Sequence, residues 1–117
     1  MAVFSITEAL VSWITSLGYA TSTYPPKTGS EFVTIERTGG YASDLVDHPM
    51  VAIQTWAQTE ERAEEMANNI MYAVLTSPRP DGVASMRVDA GPYPWWDEST
   101  KLPRYQLVIE CAAQLVI

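Results

Sequence analysis

MVAIQTWAQTEERAEEMANNIMYAVL, Met50–Leu75, sets a strand directly before a helix, and the change of period between them decides the fold. Met50 to Ala57 alternates, with Val51 and Ile53 on one face and Met50 and Trp56 on the other, which is strand spacing. From Thr59 to Leu75 the period lengthens to 3.6 residues: Ala63, Met66, Ala67, Ile70 and Val74 form one apolar stripe. Glu60, Glu61, Glu64, Glu65, Asn68 and Asn69 fall on the other faces. Early glutamates suit the positive start of a helix, and Pro78 and Pro80 close it.

The same two signals recur on either side. Ile6, Leu10, Ile14 and Leu17 predict a helix over Ser5–Leu17, with Ser5 or Thr7 as its cap and Gly18 at its end. Tyr19 to Ser30, with Tyr24-Pro25-Pro26 and Thr28-Gly29-Ser30, reads as a linker. Phe32 to Thr38 reads as a half-buried strand that Gly39-Gly40 breaks. Val83 to Ala90 and Tyr105 to Val116 supply two more strands. On the last, Tyr105, Leu107, Ile109, Cys111, Ala113 and Leu115 share a face. The expected fold is α+β, in the order α-β-β-α-β-β, with two helices packed on a mostly antiparallel four-stranded sheet. It forms a single domain over residues 1–117.

Composition bounds the function. With 117 residues, 47% hydrophobic and 18% charged, the chain supports one modest core. A net charge of −7 argues against gripping nucleic acid, which needs a basic patch, and against docking on an anionic membrane. No apolar run reaches the ~20 residues of a membrane helix. Met1-Ala2-Val3-Phe4-Ser5 lacks the basic start of a secretion signal. A single cysteine excludes an internal disulfide. These features together predict a soluble cytoplasmic protein.

Two connections are longer than chain closure requires: Gly39 to Pro49 and Gly91 to Arg104. The second holds Tyr93, Trp95 and Trp96. In an extended segment Trp95 and Trp96 point to opposite sides, and one small core can hardly absorb both. Exposed tryptophan favours protein contacts. The alternative is that the pair packs back on the sheet and orders its own loop.

Catalytic patterns are missing from the sequence. His48, the only histidine, has Asp44 and Asp47 nearby, too few ligands for a metal; Asp47 is expected to cap a turn before Pro49 while His48 starts the next strand. Cys111, on an apolar strand face, reads as a buried small hydrophobe. No serine sits in a Gly-x-Ser-x-Gly elbow, and Thr38-Gly39-Gly40-Tyr41 lacks the spacing and lysine of a phosphate loop. Met66, Ile70 and Met71 read as core. The glutamate pairs at 60/61 and 64/65 sit on a solvated helix face where nothing raises a pKa. The expectation is a protein with no active site, metal or cofactor.

The order of these pieces resembles a known family. Glu36-Arg37-Thr38-Gly39-Gly40 ends a strand, and Asp47-His48-Pro49 opens another that closes on Trp56-Ala57. The helix beginning Thr59-Glu60-Glu61-Arg62 follows. Ala90-Gly91-Pro92 then leads to Trp96-Asp97, and Pro103-Arg104-Tyr105-Gln106-Leu107 enters the last strand. The arrangement is similar to the tail terminator (tail completion) proteins of long, non-contractile-tailed bacteriophages and to their head–tail connector relatives. The likeness covers nearly the whole chain, most clearly from Glu31 onward. The Trp95-Trp96 pair is bulkier than that family's loop.

The resemblance implies a compact α+β virion subunit of the tail and neck, made in the host cytoplasm and assembling with itself into a hexameric ring. The ring caps the tail-tube protein, meets the head completion (neck) proteins, does no covalent chemistry and lets DNA pass without specific binding. A head-to-tail ring needs two different patches per subunit. The candidate contact residues are Tyr93, Trp95, Trp96 and Lys101 in the second long connection, and Arg37, Tyr41, Asp44 and Asp47 around the first. Six copies at −7 apiece make an annulus of −42. Glu60, Glu61, Glu64 and Glu65 either line its hole and repel DNA or form a solvated outer face. A head-closure or connector protein of the neck is the alternative within the same machine. A small ligand-binding α+β module is the alternative from another class.

Overall fold

The computed structural model describes residues 2–26, 29, 31–95 and 102–116. Helix α1 (Ile6–Ser16) starts where the Ser5 side chain accepts the Glu8 N–H at 3.2 Å, so Ser5 is the cap. Helix α2 (Glu60–Thr76) starts the same way, with Thr59 accepting from Arg62 N–H. The strands are β1 (Thr21–Ser22), β2 (Phe32–Ser43), β3 (Val46–Trp56), β4 (Val83–Pro94) and β5 (Arg104–Gln114). They form one sheet in the order β1-β2-β3-β5-β4, antiparallel except for β1 beside β2.

The class is α+β, but the sheet has five strands and is mixed, where four were expected. The extra strand lies inside the expected linker. It is two residues long, pairs Thr21 with Val33 and Ser22 with Thr34, and is held by the Val33 N–H donating to Ala20 O at 2.8 Å. Two residues carry no periodicity to read, and Pro25-Pro26, which cannot donate, soon follow.

The first long connection is also corrected. Gly39–Pro49 is mostly paired ribbon, because β2 and β3 continue through it and turn only at Asp44-Leu45. Both turn residues have positive φ, 51° and 64°, matching the primed turns that suit strand twist. Gly39-Gly40 does not break β2. A register shift between Arg37 and Gly39 absorbs one residue as a bulge. Gly40 follows with φ +111°, and a Cβ there would come within 2.2 Å of His48 O. Asp47 and His48 lie inside β3 rather than at a turn before it. Pro49 is tolerated because the β3–β5 ladder skips from Asp47↔Ala113 to Met50↔Glu110 around it.

Both helices share one face of the sheet. Ile6, Leu10 and Ile14 of α1 and Ala63, Met66, Ile70 and Val74 of α2 join Val33, Ile35, Val51, Ile53, Leu107, Ile109, Cys111 and Ala113 in one core. Thr55 Oγ1 donates to Ala63 O at 2.7 Å, tying β3 to α2 across that layer. The strands run the length of a 42 × 27 × 24 Å molecule. The register places the Asp44-Leu45 turn beside the end of β5, where Val46 faces Gln114, and Trp56 beside its start, facing Arg104. The second expected connection is also shorter than expected, since Gly91–Pro94 continue β4 and Arg104 begins β5; its described base at Trp95 and the Asp44-Leu45 turn stand at opposite ends of the sheet.

Candidate functional site

The face of the sheet away from the helices carries its own buried cluster. Strand alternation sends Phe32, Thr34, Ala52, Gln54, Trp56 and Gln106 to this side, and all six are buried. Trp56 stacks on Phe32 at 5.3 Å between ring centroids, and the Arg104 guanidinium lies over the Trp56 ring at 4.6 Å. Arg104 also lies 5.9 Å from the Trp95 ring and donates from Nε to Trp95 O at 2.9 Å. Trp95 meets Tyr93 edge-on at 6.0 Å. The base of the second connection is thus fixed by a stack that crosses from β2 to β4.

A one-way hydrogen-bond chain runs beside the stack. Trp56 Nε1 donates to Thr34 Oγ1 (2.9 Å), which donates to Gln54 Oε1 (2.8 Å). Gln54 Nε2 donates to Gln106 Oε1 (2.9 Å), and Gln106 Nε2 to the Tyr93 hydroxyl (2.7 Å). Trp56 can only donate, so its indole sets the direction of the chain, which leaves the Tyr93 hydroxyl with its proton to give. Among the described residues every buried side-chain polar atom has a partner. Such a chain holds four strands in register and leaves no polar group stranded. Above it lies a groove of about 420 Å³, walled by Thr23, Pro25, Glu36, Trp95 and Arg104.

The opposite end is built differently. At its tip Leu45 is 75% exposed with φ 64°, a conformation that disfavours bulky side chains. Behind it Arg37 clamps Asp47 through two bonds of 2.6 and 2.7 Å. The hydrogen bond to Asp47 raises the Arg37 pKa, and the carboxylate's own charge adds to it. Asp47 is 8% exposed, so the clamp neutralises a buried charge. Tyr41, 63% exposed, stacks on His48 at 4.7 Å.

Of the contact residues expected from sequence, Tyr93 and Trp95 stand together at one end of the sheet, and Arg37, Tyr41, Asp44 and Asp47 at the other. Trp96 and Lys101 lie outside the described residues. Glu60, Glu61, Glu64 and Glu65 are all exposed on α2. Arg62 pairs with Glu65 and, at 2.9 Å, with Glu31, whose carboxyl that hydrogen bond holds below its usual range. The Tyr105 hydroxyl donates to Glu64 at 3.1 Å; its pKa is raised first by burial, then by that bond and the nearby glutamates. Cys111 is buried, which together with Glu110 and Asp47 pushes its thiol up to about 12. Among the described residues no group of three His, Cys, Asp or Glu could hold a metal, and no helix is long and apolar enough to cross a membrane.

Sequence reasoning placed Trp56 off the core face but missed Phe32, Thr34, Gln54, Gln106 and Arg104 as one assembly. The usable signal was a polar residue at the same alternate position in three strands, each next to a core aliphatic: Thr34 beside Val33 and Ile35, Gln54 beside Ile53, Gln106 beside Leu107. No protein-family model matches the chain, and no curated protein matches it in sequence.

Proposed function

We propose that this protein is a structural assembly subunit: the tail terminator of a long-tailed phage, which caps the tail tube as a homo-oligomeric ring, of six copies by the family likeness, and joins it to the neck proteins. In this reading DNA passes through the ring without specific binding. The observation that carries a contact role is Leu45. A leucine that is 75% exposed and held at φ 64° costs stability and returns little packing inside the chain. Two candidate contact groups at opposite ends of one sheet also suit a subunit placed between two different neighbours. The glutamates of α2 would face either the lumen or the outside of such a ring.

The test is assembly. The chain is co-expressed with the tail-tube protein of a long-tailed phage, and tube length is measured by electron microscopy. The expected result is tubes of limited length capped by rings, with overgrown tubes when Leu45→Asp or the Trp95→Ala/Trp96→Ala double variant replaces the wild type. In the intact phage, loss of this protein that leaves tails of normal length but heads that lose DNA would instead assign a head-closure role. The groove beside Trp95 favours the second reading, a small ligand-binding module. A monomer whose melting temperature rises with a small molecule, and which leaves tubes unaffected, would establish that reading.

A further inference from the structure

The two edges of the sheet are unlike. The outer edge of β4 is blunted: Pro92 and Pro94 interrupt it, and its register shifts three times, between Val83/Ser85, Val88/Ala90 and Ala90/Tyr93. Bulges and prolines are the devices that keep a sheet edge from pairing with other chains. The edge of β2 has far less cover. β1 reaches only Val33 and Thr34, and from Glu36 to Ser43 eight consecutive residues are exposed, with no proline, no lysine and one register shift, between Arg37 and Gly39, against three on β4. The direction of the backbone groups follows from the ladder. Ser43 and Val46 close the two-residue turn, so Ala42 and Gly40 turn their N–H and C=O away from β3. Before the bulge Val33 points outward, since its N–H bonds Ala20 O, and Arg37 shares that phase.

We infer that the free edge of β2, Glu36–Ser43, takes an extended strand from a different protein, basic at both ends, by β-strand addition. The charges choose the partner. Glu36 and Asp44 bracket the edge, and among the described residues neither has an ion-pair partner; Arg37, the cation between them, is committed to Asp47. A second copy of the chain pairing antiparallel about Gly39-Gly40 would bring Glu36 up to the other copy's Asp44, and each copy carries −7. A strand with lysine or arginine at each end meets both acids instead. The Tyr41–His48 stack beside the edge offers a flat surface for one of its side chains. This inference is independent of the phage reading: failure of tube capping leaves it standing, and its own failure leaves tube capping untouched.

The probe is the peptide Lys-Val-Thr-Val-Thr-Val-Thr-Lys, read by amide hydrogen exchange on the intact chain. Exchange at Arg37, Gly40 and Ala42 is expected to slow at least tenfold, and the same peptide with glutamate ends should bind at least tenfold more weakly. Ala42→Pro removes an outward N–H without touching the β2–β3 bonds, and should weaken the lysine peptide at least tenfold at an unchanged denaturation midpoint. If that variant does not fold, Glu36→Lys with Asp44→Lys should reverse the preference between the two peptides. No slowing, or equal binding of both peptides, overturns the proposal. So does self-association of the free chain that Ala42→Pro abolishes, which would assign the edge to a second copy.

Discussion

The two ends of the sheet are held by different means. At the Trp95 end the chain is fixed by side chains: Phe32, Trp56, Arg104, Trp95 and Tyr93 stack across four strands, and a hydrogen-bond chain runs beneath them. At the Leu45 end it is fixed by backbone geometry, with two positive-φ turn residues, a bulge and a glycine no other residue can replace, plus one carboxylate–guanidinium clamp. The first arrangement gains stability from burial. The second presents an exposed apolar side chain at a small conformational cost. Removing the exposed side chain at the Leu45 turn should therefore differ in sign, as well as in size, from removing a ring of the stack.

The largest effect belongs to the stack. Trp56→Ala should lower unfolding free energy by about 3–5 kcal/mol in urea titrations, because it empties a fully buried site, removes the donor to Thr34 and takes the ring from under Arg104. Trp56→Phe keeps a ring between Phe32 and Arg104 but loses the indole donor, and should cost about 1 kcal/mol. A Trp56→Ala loss under 1 kcal/mol would mean that the open face contributes little. At the other end Asp47→Asn keeps the shape and halves the clamp. It should cost about 1–2 kcal/mol, moderated because Arg37 keeps contact with water.

How legible this was from sequence depends on the length of each signal. Both helices and the cores of four strands followed from apolar spacing over seven residues or more, as at Ala63–Val74. Thr59 was readable as a helix start, and Ser5 as one of two candidate caps beside Thr7, because capping chemistry is local. The ribbon from Gly39 to Pro49 was not readable. Two glycines and a proline mark a loop in most contexts, and here a register shift and a skipped ladder position accommodate them, devices visible only once the partner strand is present. The same holds for the open-face cluster. Thr34, Gln54 and Gln106 look like solvent-facing strand residues until Trp56 supplies a donor and three strands bring them into line. The clamp between Arg37 and Asp47 depended in turn on the ribbon, since only continuous pairing sets them on one face.

Leu45→Gly tests the turn end from the opposite direction. Glycine adopts positive φ without a Cβ penalty, and the side chain it removes touches mainly water. Unfolding free energy should rise by about 0.5–1 kcal/mol, measured by denaturant titration. The same variant should assemble less well than the wild type if Leu45 is a contact residue. A gain in stability with assembly intact would leave the leucine without a role.

The smallest effect is electrostatic and sits beside the stack. Glu31, immediately before Phe32, holds Arg62 of α2, and that hydrogen bond lowers its pKa in the folded chain. A carboxylate with a depressed folded pKa contributes stability above its unfolded value, near 4.5, and the contribution disappears as the pH falls through the folded value. The gap in melting temperature between wild type and Glu31→Gln should therefore be visible at neutral pH and close as acid protonates the folded carboxyl, below 4.5. Both side chains are largely open to water, so the gap should also shrink as salt is raised. A gap unchanged by acid and salt would show that Glu31 acts by packing against Phe32 and the start of β2. The Trp95 end would then be held by side-chain contact alone, in full contrast to the charge clamp behind Leu45.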